Sequence, residues 1–286
     1  MEKRSLGAHM SIAGGVAQAL RRGKEIGCDV IQLFTKNANQ WCAEPLGQDA
    51  IKAFHQARDE TGINPIAAHD SYLINLASPD EGLYKRSQEA LWEEMQRAEI
   101  LGIPYLVMHP GSHRGCGEEE GLYRIARGIN LLHYLGPDMT TQILLETTAG
   151  QGATLGHRFE HFAQIVAMVE DDEKVGICLD TCHCFAAGYD MSTPAGYEAT
   201  VDEFHQVIGL DRLKLIHLND SKGAAGMRVD RHEHIGQGHL GMEPFRLLLH
   251  DDRLADLSFV LETPKGKNPA GEDWDVVNLR LLRGLL

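Results

Sequence analysis

No apolar run in this sequence approaches the ~20 residues that a helix needs to cross a bilayer. The opening MEKRSLGAHMSIAGG lacks the apolar stretch of ~7 to 15 residues at the heart of a secretion signal. A membrane protein and a secreted one are set aside, and a cytoplasmic location is expected. The six cysteines (Cys28, Cys42, Cys116, Cys178, Cys182 and Cys184) are then expected to be reduced thiols, and no CxxC pair begins a four-ligand structural metal site. Positive charge is scarce: 27 Lys and Arg stand against 41 Asp and Glu, a net charge of −14. That balance argues against the basic footprint that phosphate binding ordinarily leaves. The objection weakens if some carboxylates are metal ligands, because each divalent cation returns two positive charges. No low-complexity linker divides the chain, so residues 1–286 are expected to form one domain.

What the chain does have is histidine, fifteen in all, and a repeating pattern. Apolar runs rich in Val, Ile and Leu recur at even spacing: SLGAHM, CDVIQLFT, NPIAAHD, PYLVMHPG, TQILLET, VGICLDT, LKLIHLND and LSFVLETP. Stretches such as GVAQALRRGKEIG, EGLYKRSQEALWEEMQRAEILG, HRFEHFAQIVAMVE and WDVVNLRLLRGLL lie between or after them, with apolar residues at steps of three and four. Strand then helix, repeated about eight times in this length, predicts a closed (β/α)₈ TIM barrel.

The predicted strands end in residues that bind metals. The third ends at His69, the fourth at His109, the fifth at Glu146, the sixth at Asp180 with His183 beyond, the seventh at His217 and the eighth at Glu262. A lone histidine at a strand end is ordinarily a solvated or capping residue. In a barrel, however, all these positions converge on one mouth, and six coincidences there are hard to sustain. Four acids gathered in a cleft (Glu146, Asp180, Asp230 and Glu262) repel or take up protons unless cations join them. With Asp230 and His232 from the loop after the seventh strand, nine candidate ligands exceed what one ion with open positions can use. A cluster of two or three ions is expected, zinc ahead of manganese or iron for this mixed imidazole and carboxylate set. The rival donors Cys182 and Cys184 flank His183, and in an extended segment they point away from it.

The segments FTKNANQW, HDSYLINLASP, HPGSH, LLETTAGQG, LGHRFEH, CLDTCHCFAAGYD, HLNDSKGAAGMRVDRHEHIGQG and LETP follow in this order over nearly the whole chain. Together they resemble the endonuclease IV family of zinc-dependent apurinic/apyrimidinic (AP) endonucleases of base-excision repair. The resemblance implies cleavage of duplex DNA on the 5′ side of an abasic site, giving a 3′-hydroxyl and a 5′-deoxyribose phosphate, and removal of 3′-blocking groups. It implies three Zn²⁺, with Mn²⁺ or Fe²⁺ at part of the cluster, and a monomeric enzyme. Carried over by position, His69, His109 and Glu146 hold one zinc; Glu146 bridges to a second held by Asp180, His217 and Glu262; His183, Asp230 and His232 hold the third. A metal-bound hydroxide is then the nucleophile, and Glu146 and Glu262 are candidates to orient it.

The same resemblance implies that Tyr72 and Leu73 enter the DNA at the lesion. Asn39 stands where the enterobacterial members carry an inserted arginine. Lys36, Arg231 and Lys222 are candidates to grip the backbone from rim loops. In RVDRHEHIGQGHLG, Asp230 and His232 are two apart and share one side of an extended segment, Arg231 points elsewhere, His234 is left as a neighbour of the ligands, and His239 as a bystander. Two other readings stay open: a sugar isomerase or epimerase using one ion on Glu146, Asp180, His217 and Glu262, and a non-catalytic protein that binds damaged DNA.

Overall fold

The computed structural model describes residues 4–286. Eight parallel strands close into a barrel, in the order β1 (Ser5–His9), β2 (Val30–Phe34), β3 (Ile66–His69), β4 (Tyr105–Met108), β5 (Gln142–Glu146), β6 (Val175–Asp180), β7 (Leu213–His217) and β10 (Ser258–Leu261), which returns to β1. The predicted barrel is therefore the observed fold. Outside it lie α1 (Val16–Glu25), α2 (Gln48–Thr61), α3 (Glu81–Leu101), α4 (Glu118–Leu135), α5 (Phe159–Met168), α7 (Pro194–Val207), α8 (Glu243–His250) and α9 (Trp274–Gly284). A short α6 (Thr181–Ala187) and a two-stranded ribbon, β8 (Asp220–Ser221) with β9 (His232–Glu233), decorate the mouth. No helix among the described residues is long and apolar enough to cross a membrane.

Local chemistry sets the helix limits. In α3 the Asp80 carboxylate accepts the Leu83 N–H at the start, and Gly102, with φ 64°, closes the end in the left-handed region that glycine tolerates best. The apolar stripes of the helices then cover the barrel, burying Phe54, Phe159, Phe162, Phe204 and Phe245 completely. Each such ring contributes about 2 to 3 kcal/mol of transfer free energy.

The barrel's interior is a second, smaller core. Val30, Ala67, Val107, Leu144, Cys178, Leu215 and Val260 pack together, one from each of seven strands. Gly7 of β1 is in register with Val30 and Val260 and takes the eighth place. A Cβ at Gly7 would lie 1.6 Å from the Val30 carbonyl oxygen, an atom fixed in the neighbouring strand. Gly7→Ala is therefore expected to destabilise the protein by about 3 kcal/mol or more. Urea unfolding measures this, and a midpoint equal to that of the parent would contradict the packing described.

Candidate metal centre

Side chains two apart on a strand face the same way. Two residues beyond each member of the interior ring, on the same face and toward the mouth, stand His9, Gln32, His69, His109, Glu146, Asp180, His217 and Glu262. The apolar ring is thus the floor of the site, and all eight strands contribute a polar residue immediately above it. Most of these side chains are buried, Glu146, Asp180 and His217 completely.

The polar ring is organised around Glu146. Its Oε2 lies 3.0 Å from His69 Nε2 and 3.1 Å from His109 Nε2, while its Oε1 lies 3.1 Å from His217 Nδ1. The two oxygens of one carboxylate thus serve two separate groups. In the second group, His217 Nδ1 is also 3.1 Å from Glu262 Oε2 and 3.8 Å from Asp180 Oδ2. A third group sits beside them: His183 Nε2 is 3.2 Å from Asp230 Oδ1 and 3.3 Å from His232 Nε2. Within each group the donor atoms all lie within 4.8 Å of one another. Ligand atoms about 2.0 to 2.2 Å from a tetrahedral zinc are separated by about 3.4 Å, so the spacing suits such an ion.

In four of the five rings the free nitrogen is anchored, which fixes the lone pair on the other. His69 Nδ1–H donates to the Asp70 carbonyl (2.9 Å), His183 Nδ1–H to the Thr147 carbonyl (2.8 Å), and His232 Nδ1–H to the Glu262 carbonyl (3.2 Å). His217 is anchored in the opposite sense, its Nε2–H donating to Gln32 Oε1 at 2.9 Å. The neutral rings therefore present Nε2 of His69, His183 and His232, and Nδ1 of His217, as ligand atoms. Were both rings neutral, His183 and His232 would face each other with two lone pairs 3.3 Å apart, an arrangement that a proton or a metal cation between them relieves.

The electrostatics agree. Burial pushes the Glu146 carboxyl upward, yet the neighbouring charges of His109 and His217 override it and hold it well below the ordinary carboxylate range. Burial also draws the Asp230 carboxyl upward, but the hydrogen bond and charge of His183 win and bring it down to about 2. In His69, burial disfavours the cation, but Asp70 and Glu146 raise the ring well above its usual value. Ionised carboxylates thus surround nitrogens where positive charge is favoured, the condition in which a divalent cation displaces protons.

The residues matched from 20 to 283 fit the family described as Xylose isomerase-like TIM barrel. Over 280 residues the chain is 51% identical to a probable endonuclease 4 of Chloroflexus aurantiacus, covering 98% of this chain and 97% of the relative. It is 50% identical over 281 residues to a probable endonuclease 4 of Geobacter sulfurreducens, covering 98% and 94%. The crystal structure of endonuclease IV from Thermus thermophilus superposes with a TM-score of 0.86 at 37% identity, covering 98% of each chain. The chain belongs to the endonuclease IV family. As a member of that family it is a nuclease, and a D-tagatose 3-epimerase-like protein that superposes with a TM-score of 0.73 at 20% identity speaks for the barrel alone.

In this member of the endonuclease IV family, Tyr72 is 67% exposed at the mouth, edge-on to Phe34 with ring centres 5.4 Å apart. Tyr72 and Leu73 both line a cavity of about 330 Å³ that reaches His69 and His109. Asn39 and Arg231 are exposed, the Arg231 guanidinium donating to the Asp230 carbonyl at 2.6 Å. Lys222 is half exposed, 3.9 Å from Glu233.

Three expectations are corrected. Lys36 is not a rim cation: it is buried, with Nζ 2.6 Å from Glu94 of α3 and donating to the Gln40 carbonyl. His234 leaves the ligands and stacks on Trp274 at 3.8 Å, with Asn278 beside it, because the loop docks there onto α9. The DTCHCF segment is helical rather than extended, so the alternation that would turn Cys182 away from His183 does not apply. Cys182 in fact lies within reach of Asp180 and His232. Its thiol, pushed up to about 12 by burial, donates instead to the Arg231 carbonyl.

The residues that sequence reasoning passed over are His9, Gln32 and Asn219. Gln32 Nε2 donates to Glu262 Oε1 at 2.6 Å, and His9 Nδ1 lies 3.3 Å from the same oxygen. Asn219 donates to Asp180 Oδ2 at 2.6 Å and accepts the Glu262 N–H at 2.9 Å. His9 closes the first strand as His69 closes the third, so the strand-end rule applied to all eight strands reaches it.

Proposed function

We propose that this chain hydrolyses the phosphodiester bond on the 5′ side of abasic sites in duplex DNA, leaving a 3′-hydroxyl and a 5′-deoxyribose phosphate, and removes blocking groups from 3′ ends. The observation that carries the reading is the assembly of nine donors into three groups, two of them joined through the two oxygens of Glu146 and the third beside them. His69, His109 and Glu146 would hold one zinc, Glu146, Asp180, His217 and Glu262 a second, and His183, Asp230 and His232 a third. Bound there, the ions would lower the pKa of a water to about 7 and neutralise charge developing on the phosphate and the leaving oxygen.

The chain's own groups do the positioning. Gln32 holds Glu262 Oε1, which leaves Oε2 turned toward His217. Asn219 ties Asp180 to the backbone of Glu262, so ligands from β6 and from the end of β10 move as one unit. The rigidity keeps reacting atoms in place rather than relying on their reorganisation. Tyr72, exposed beside the cluster, and Leu73 form a wedge that can replace lost stacking where a base is missing, the place at which unstacking costs least.

The test is incubation of the purified protein with a duplex bearing one abasic site, with and without chelator, alongside metal analysis. Nicking that chelator abolishes, with close to three ions per chain, is the expected result. A single ion per chain with no nicking would instead favour a sugar isomerase or epimerase, and binding of the abasic duplex without cleavage a damage-binding protein.

A further inference from the structure

Among the described residues, the two that adopt left-handed backbone without being glycine are both arginines: Arg114 at φ 45° and Arg228 at φ 52°. This region is rarely occupied by L residues other than Asn and Asp, and neither side chain is one that hydrogen-bonds locally to offset the strain. Both lie in mouth loops. Arg114 follows β4 and lines the 330 Å³ cavity with His69, Tyr72 and His109. Arg228 precedes Asp230 by two residues, its backbone N–H held by the Ala186 carbonyl at 2.9 Å.

Several other cations around the mouth are already committed. Lys36 is paired with Glu94, Arg158 with Glu118, and Lys265 with Asp275, while Arg231 binds the Asp230 carbonyl. Arg114 and Arg228 are exposed and make no ion pair or side-chain hydrogen bond among the described residues. In a chain of net charge −14, two uncommitted arginines beside the ligand groups, each held in a costly conformation, are out of place unless something anionic comes to them.

We infer that Arg114 and Arg228 grip backbone phosphates of the bound DNA, Arg114 beside the His69 and His109 group and Arg228 beside the Asp230 group. This rests on the reading of the protein as a DNA enzyme. It adds a role for two residues that supply no metal ligand and stand outside the stacking wedge. A guanidinium meets a phosphate in bidentate fashion, and the backbone contact fixes register without reading sequence.

The experiment uses the metal-loaded protein and a duplex with one abasic site, measuring KM and kcat from low to moderate salt for the parent, Arg114→Gln, Arg228→Gln and, as control, Lys52→Gln on the outer helix α2. Each arginine variant is expected to raise KM several-fold at low salt and to make the logarithmic salt dependence shallower by about 0.9, the release expected for one phosphate contact. Metal content and kcat should be unchanged, and Lys52→Gln should match the parent. A further variant, Arg114→Gly, should lose the same increment of salt dependence and yet melt on the order of 2 °C higher, because glycine accepts this backbone. Salt slopes that match the parent, or that shift equally in Lys52→Gln, would overturn the inference while leaving the nuclease reading intact. A melting temperature for Arg114→Gly that stays put or falls would show the arginine kept for the fold and overturn it too. If the parent protein neither binds nor cuts the duplex, the reading of the site fails instead.

Discussion

Glu146→Gln is expected to lower kcat on an abasic duplex by at least about 10³-fold and to reduce the bound metal by at least one ion per chain. The size follows from geometry. Each carboxylate oxygen serves a different ligand group, Oε2 beside His69 and His109 and Oε1 beside His217. Glutamine keeps the shape but offers one oxygen and one NH₂, and an NH₂ is no metal ligand. Whichever way the amide turns, one group loses a donor, and the site loses a full negative charge where no water can compensate. Glu262→Gln should fall less far in metal content, since Oε2 alone faces His217 while Oε1 is held by Gln32. Tyr72→Ala should retain all metal and chiefly raise KM, because its ring lies outside the ligand groups. Steady-state kinetics with elemental analysis separates the three. A Glu146→Gln protein that keeps three ions and a tenth of the activity would remove the bridging role.

The fold was legible because a parallel barrel repeats one simple pattern, and the candidate ligands were legible because they interrupt that pattern at the same place in strand after strand. His69, Glu146 and Asp180 each terminate an apolar run, and the period of two that brings them over the barrel floor is a property of any strand. Gln32 was not legible, since it sits inside the apolar run VIQLF and declares its purpose only when the closed barrel brings β2 near Glu262 and His217. Lys36 misled for a related reason: its partner Glu94 belongs to a helix far along the chain, and only packing shows that the pair is buried. His234 followed the arithmetic of an extended loop until Trp274 of α9 captured its ring. The strain at Arg114 and Arg228 is a backbone property that neither residue type announces. Local periodicity decides which face a residue takes; partners distant in sequence decide what it does there.

Metal removal is expected to lower thermal stability steeply and in proportion to the number of ions lost. Without cations the fold must keep Glu146 and Asp180 fully buried near Glu262 and Asp230, with only protons on the surrounding imidazoles to balance them. An ion that binds the folded chain alone stabilises it by RT ln(1 + [L]/Kd), so above saturation every tenfold rise in free zinc adds about 1.4 kcal/mol per site. Three sites add about 4 kcal/mol per decade, whereas the single-ion arrangement of a sugar isomerase adds about 1.4. Denaturant unfolding of chelated protein returned to buffered free zinc therefore counts the ions through a slope, independently of activity and of any DNA substrate. Repeating the series with Glu146→Gln should cut that slope by about one ion's share or more, because the variant cannot complete both groups that the carboxylate joins. A stability indifferent to zinc would mean that the nine donors, however well spaced, hold no ion in the folded protein.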